Sequence, residues 1–130
     1  MRRPSKKKAS SAFIKKLDPS EHQIQSTLVS ILEYKLRPGV VRIALANGGL
    51  RHPRVAAMLR AEGVMPGAPD LVFAVENGRV IWLELKTSKG TLSDHQIGMR
   101  AKLERLGHVW GMARSVDEAL EFLNKHGLLR

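Results

Sequence analysis

"MPGAPDLVFAVENGRVIWLELK", residues 65–86, is the stretch whose reading decides the fold. Two apolar runs, Leu71 to Val75 and Val80 to Leu83, flank Glu76, Asn77, Gly78 and Arg79. An Asn-Gly pair accepts the left-handed conformation that tight hairpin turns require, so the runs are predicted to be antiparallel neighbours. Alternate residues of a strand share a face, which sends Val80, Trp82, Glu84 and Lys86 one way and Ile81, Leu83 and Leu85 the other. Both faces are largely apolar, the pattern of a central strand covered on both sides. Glu84 and Lys86 are then costly to bury unless they are paired or bind something. A surface ion pair where the strand emerges would explain their spacing at no more than about 1 kcal/mol. It leaves the neighbouring strand out of account.

With the turn centred on Asn77 and Gly78, facing residues have numbers summing to about 155. Asp70, which opens the first run, is expected opposite Leu85 and beside both Glu84 and Lys86. Two carboxylates about 5 Å apart repel by roughly 3 kcal/mol at an effective dielectric near 20. A divalent cation removes that repulsion. Mg²⁺ or Mn²⁺ prefers oxygen ligands and keeps several waters, so two carboxylates and a substrate phosphate make a sensible set of ligands. Lys86 beside them suits the charge that builds up when a phosphodiester is attacked by water.

Outward from the hairpin, "LDPSEHQIQSTLVSILEYKLRPG" is predicted to be a helix capped by Asp18, with Pro19 at its first position. Ile24, Leu28, Ile31 and Leu32 recur at helical spacing, and residues 37–39 end it. A strand over 40–45 leads into the turn-prone "ANGGLRHP", and a short helix over 53–61 stops near Gly63. Ser93 caps a helix through about Leu106, with Ile97, Leu103 and Leu106 in its buried stripe. "HVWGMA" is a fourth strand, and Ser115 caps a closing helix with acids in its first turn. The order α-β-α-β-β-α-β-α predicts an α/β fold, a small mixed sheet flanked by helices on both faces.

At 130 residues the chain fits one domain with its own core. Its net charge of +10 favours a polyanionic partner, nucleic acid first, because basic groups that neutralise phosphates release condensed counterions. Seven of the basic residues precede Asp18 in a Lys- and Ser-rich stretch with little to bury. Residues 1–17 are therefore expected to be a disordered arm, either solubilising or phosphate-binding, and 18–130 the folded domain. The absence of cysteine excludes disulfides and thiolate zinc sites and suits the cytoplasm. No apolar run approaches the ~20 residues of a membrane span, so a soluble protein is expected.

Pro69-Asp70 followed by Glu84-Leu85-Lys86 resembles the PD-(D/E)xK nuclease superfamily, which has a restriction-endonuclease-like core. "EGVMPGAPDL" with "WLELK" resembles its VRR-Nuc branch, the virus-type replication and repair nucleases, over residues 21–119. The resemblance implies Asp70 and Glu84 as metal ligands, Lys86 as the catalytic lysine, and Mg²⁺ or Mn²⁺ as cofactor. Glu21 and Gln25 match the first-helix acid and glutamine used around the metal. Gln96 matches a glutamine near the active site. Glu21 also fits a capping box in Asp18-Pro19-Ser20-Glu21, and Gln96 an ordinary exposed helix position. Gly67 would let the backbone pass close to the site, or simply make a Pro-Gly turn.

What the resemblance implies for the whole is a metal-dependent DNA endonuclease of replication, recombination or repair. Its cut would leave 5′-phosphate and 3′-hydroxyl ends. No separate sequence-reading domain is expected, so selection is expected by DNA shape at nicks, flaps or four-way junctions. Stand-alone relatives are expected to dimerise, and a phage or bacterial origin fits the branch. Asn47, Gly48, Gly49, Arg51 and Arg54 either line a DNA groove or form a solvated turn, and Lys89 is a further candidate for a phosphate contact. The five histidines lack zinc-site spacing, "SKGT" is no phosphate loop, and Trp82 and Trp110 are expected in the core. Two rivals remain at this stage: a non-catalytic nucleic-acid binder on a nuclease-like fold, and an RNA nuclease.

Overall fold

Four strands and four helices form in the predicted order in the computed structural model, which describes residues 18–45 and 52–130. The basic arm over 1–17, and Asn47, Gly48, Gly49 and Arg51, lie outside the described residues. In chain order the elements are α1 (Glu21–Lys35), β1 (Val41–Ala44), α2 (Pro53–Ala61), β2 (Leu71–Ala74), β3 (Val80–Leu85), α3 (Asp94–Arg105), β4 (Val109–Ala113) and α4 (Val116–Lys125). The sheet order is β1-β2-β3-β4. The first three strands are antiparallel and β4 runs parallel to β3, with α3 as the crossover. The sheet is therefore mixed, with β3 inside it.

One face carries the core. Leu71 and Phe73 of β2 and Ile81, Leu83 and Leu85 of β3 are fully buried against Ile24, Leu28 and Leu32 of α1 and Ala119 and Leu123 of α4. These side chains alternate along the strands and recur every three or four residues along the helices, which is why both patterns were readable. Gly111 of β4 faces the same layer. A Cβ there would sit 2.3 Å from the Phe122 ring, so α4 can approach this closely only over glycine.

The second face is covered less completely than expected. α3 lies over it, with Gln96 bonded to Glu84 and Arg100 stacked 4.6 Å above the Trp110 ring. Leu103 is buried, but Ile97 and Leu106, expected in the same stripe, are 53% and 71% exposed. Trp82 and Trp110 are half-buried on this face, outside the main core. The Trp82 indole donates from Nε1 to Nδ1 of His108 at 2.9 Å, so its polar end is satisfied.

Two local expectations are corrected. Ser20 caps α1, not Asp18, and it forms a capping box with Gln23, so Pro19 lies ahead of the helix. Asp18 instead accepts a hydrogen bond from Ser88 Oγ at 2.9 Å, which ties the start of α1 to the loop after β3. In the hairpin, Ala74 pairs with Val80 and the turn centres on Asn77, which takes φ 63°. Facing residues therefore sum to 154, and the same register carried one residue further sets Asp70 against Glu84 rather than Leu85.

Candidate active site

At the end of the sheet where β2 begins and β3 ends, Glu21, Asp70 and Glu84 each present a carboxylate oxygen, all within 4.8 Å of one another. Three elements deliver them. Glu21 is the first residue of α1, and because the capping box is made by Ser20 and Gln23 its carboxylate is not needed to close the helix. Asp70 precedes β2, and its Oδ2 accepts from the Leu85 backbone N–H at 2.7 Å, which locks the acid to the neighbouring strand. Glu84 is on β3, 1% exposed.

Glu84 is the electrostatic centre of this group. Its Oε1 accepts from Gln96 Nε2 at 2.9 Å and lies 3.9 Å from Lys86 Nζ. Its Oε2 is buried without a donor. Burial, and then the charge of Asp70, push the Glu84 carboxyl up to about 8 against the pull of Lys86. A proton shared with Asp70 is one way for the metal-free site to satisfy that oxygen. A divalent cation is another, and three converging carboxylates suit a hard ion better than a proton. The donor set therefore fits Mg²⁺ or Mn²⁺.

Around the carboxylates lies an open cleft of about 370 Å³ lined also by Lys86, Gly67, Ser93, His95 and Gln96. Lys86 is only 8% exposed although its strand has ended. Its backbone N donates to Ala113 O at 3.0 Å, and Arg114 holds the loop that follows, over 87–90. The Arg114 Nη1 donates to the carbonyls of Thr87 and Gly90 at 2.8 and 2.6 Å.

Gln96 is not an ordinary exposed helix residue. One end of its amide accepts from Ser93 N at 2.9 Å in a capping box while the other orients Glu84. Gly67 combines a φ of +84° with a close approach: a Cβ would lie 2.3 Å from His95 O and 2.9 Å from Gln96 N. Its role is thus to seat the loop before β2 on the first turn of α3.

Other predicted residues stand apart. Gln25, one turn along α1 from Glu21, is half-buried and is not among the described residues that line the cleft. Lys89 is exposed in the loop that Arg114 braces, and Arg54 is exposed on α2. His95 and Arg114 were missed by sequence reasoning. His95 had a weak signal, its place between the capping Ser93 and Gln96. Arg114 had none before β4 was laid parallel to β3.

No family model and no curated protein matches the sequence. The fold matches a solved structure described as "VRR_NUC domain" with a TM-score of 0.53 and 20% identity, covering 82% of this chain and 96% of that one. The chain has a VRR-Nuc fold, with the mixed sheet and flanking helices of a PD-(D/E)xK-like core. Among the described residues, the three converging acids Glu21, Asp70 and Glu84 could hold a metal ion. No helix among the described residues is long and apolar enough to cross a membrane.

Proposed function

We propose that the chain is a metal-dependent DNA endonuclease that cuts at structured sites, namely four-way junctions, flaps or nicks. One observation carries the reading: a buried glutamate with an unpartnered oxygen sits among two further carboxylates and a lysine, the three acids being delivered by α1, the start of β2 and β3. Burying such a group without a ligand is unfavourable by several kcal/mol, which argues that binding, not stability, keeps it there.

In this reading Glu21, Asp70 and Glu84 would hold a divalent cation, which when bound would supply positive charge near the scissile phosphate and favour ionisation of a water. Gln96 donates to Oε1 and so fixes the orientation of the Glu84 carboxylate. Lys86, close to Glu84 Oε1, donates to the oxygen on which charge grows as water attacks in line. Asp70, pinned by Leu85 N–H, and Lys86, buried with its backbone tied to Ala113 O, enter the reaction with little reorganisation. The strand is severed to leave 5′-phosphate and 3′-hydroxyl ends. Arg54, Lys89 and the basic arm add phosphate contacts that are indifferent to sequence. A dimer acting in the cytoplasm, with two such sites related by a two-fold axis, suits symmetric cutting of a junction.

The test is a panel of end-labelled junction, flap, nicked and plain duplex DNA with matching RNAs, each in Mg²⁺, Mn²⁺ or EDTA. Cutting of structured DNA in metal alone is the expected result. Binding without cutting in either metal would show a non-catalytic binder, and cleavage confined to RNA an RNA nuclease.

A further inference from the structure

Beside the catalytic cleft lies a second hollow of about 380 Å³ with a different character. Trp82, Met99, Val64 and Met65 line it, and Glu62 is the one charged residue among the described residues that do. With no lysine or arginine among the described residues of its wall, the hollow as described offers a phosphate no partner. Met65 is 56% exposed, and the half-buried Trp82 has its indole nitrogen occupied by His108, so what remains toward the hollow is apolar surface.

Its position relative to the cleft is set by β3. Trp82 and Glu84 are alternate residues of one strand face, which separates them along the strand by about 6.6 Å. α3 contributes His95 and Gln96 to the cleft and, one turn on, Met99 to the hollow. Ala68 lines both. A polar hollow with three converging carboxylates thus adjoins an apolar one. A nucleotide has the same division: a charged phosphate, and one sugar away a flat base whose faces are apolar.

Resting on the nuclease reading of the cleft, we infer that the apolar hollow is a base subsite, taking one unpaired nucleobase of a nucleotide flanking the scissile phosphate. The volume is in the range of small-molecule sites, and an indole with two thioethers is a surface on which a base of any identity can lie. A base paired within a duplex cannot enter without being unstacked. At a junction, flap or nick that step has already been taken or is easy. The hollow therefore gives structure selectivity a physical origin close to the chemistry, in addition to the shape of the DNA.

Two experiments test it. First, an abasic nucleotide is moved through the positions from two on the 5′ side to two on the 3′ side of the cut, with every phosphate kept. One position should lose about 5- to 100-fold in kcat/KM, the range that base stacking gives. Met65→Glu should lose a similar factor on the intact substrate and little more on the abasic one, with Met99→Ala as a milder second variant. Second, 2-aminopurine placed in turn at each nucleotide within two of the branch point should, at one position, change fluorescence when the cleavage-deficient Asp70→Asn protein binds, and should not when Met65→Glu is added. This readout needs no cleavage, so it judges the hollow even if the chain proves not to cut DNA.

Rates within about twofold at every abasic position would overturn the proposal, as would equal losses from Met65→Glu on both substrates. A shift in oligomeric state on Met65→Glu, seen by light scattering, together with indifference to abasic sites, would assign the hollow to a second copy of the chain instead.

Discussion

Gln96 donates from Nε2 to Oε1 of Glu84 at 2.9 Å, and the other end of the same amide accepts from Ser93 N to close the cap of α3. Helix start and buried carboxylate are therefore positioned by one side chain. Gln96→Glu separates the two roles, because glutamate serves a capping box as well as glutamine does but places a second negative charge against Glu84. We expect Gln96→Ala to lower stability by about 0.5–2 kcal/mol and Gln96→Glu to lower it less, while both weaken Mg²⁺ binding or cleavage by about 10- to 100-fold. Denaturant melts beside Mg²⁺ titrations read the two effects. If activity simply tracks stability across both variants, Gln96 acts through the fold alone.

Asp70 and Lys86 call for different substitutions. The Leu85 amide donates to Asp70, so Asp70→Ala strands a backbone donor at about 1–3 kcal/mol and confuses stability with chemistry. Asp70→Asn keeps an acceptor oxygen and removes the charge. It should fold, bind DNA within a few-fold of the parent, and cut at least about 100-fold more slowly. Lys86→Ala should behave alike, since most binding affinity lies in the other basic groups. Cleavage by Lys86→Ala at the parental rate would dispose of the proposed mechanism.

Much of this site was legible because it depends on local periodicity. Alternation placed Glu84 and Lys86 on one face of β3, and the Asn-Gly turn brought Asp70 to them. The one-residue error in register came from the turn centring on Asn77 with the neighbouring Gly78 also left-handed, an odd loop that the dipeptide alone does not specify. Asp18 and Ser20 are both good caps; Ser20 closes the box with Gln23, while Asp18 is engaged by Ser88, 70 residues away, a contact that local sequence cannot reveal. Ile97 and Leu106 were misplaced because a helical stripe tells which way residues point and not how far the sheet beneath extends. Arg114 had no signal at all, for its three acceptors lie in a loop that only the parallel pairing of β3 and β4 brings near.

The Glu84 carboxyl gives a pH signature with a definite sign. Its folded value, about 8, lies above the ordinary 4.5, so the native metal-free protein holds a proton that the unfolded chain has released between those limits. Stability from this group is complete below about 4.5 and is lost as pH rises toward 8, at up to about 1.4 kcal/mol per unit. Metal reverses the trend, because it competes with the proton and binds best where Glu84 has lost it. In EDTA, urea melts should show stability falling from pH 5.5 to 8.5 more steeply for the parent than for Glu84→Gln. Adding Mg²⁺ should raise stability more at pH 8.5 than at pH 6. A Mg²⁺ effect equal at both values would mean that Glu84 is not where the ion and the proton compete.

Gly67 joins the loop before β2 to the first turn of α3, and two independent constraints act on it. Its φ of +84° is strained for any residue with a side chain, and an added Cβ would meet His95 O at 2.3 Å, a contact with backbone that no rotamer change can relieve. Gly67→Ala should therefore destabilise by about 2 kcal/mol or more. The loop and the helix start must move apart, and Gln96 travels with the helix, so Glu84 loses its orienting donor. The effect on cleavage should accordingly exceed what partial unfolding explains, and should persist at a temperature where the variant is still folded. Gly39, also at positive φ but with open space around its Cβ position and outside both the cleft and the hollow, is the matched control. Gly39→Ala carries the backbone strain without the clash, so it should lower stability while leaving the rate of the folded enzyme nearly unchanged. Equal losses of rate in the two variants would mean that the loop contact with α3 does not govern the site.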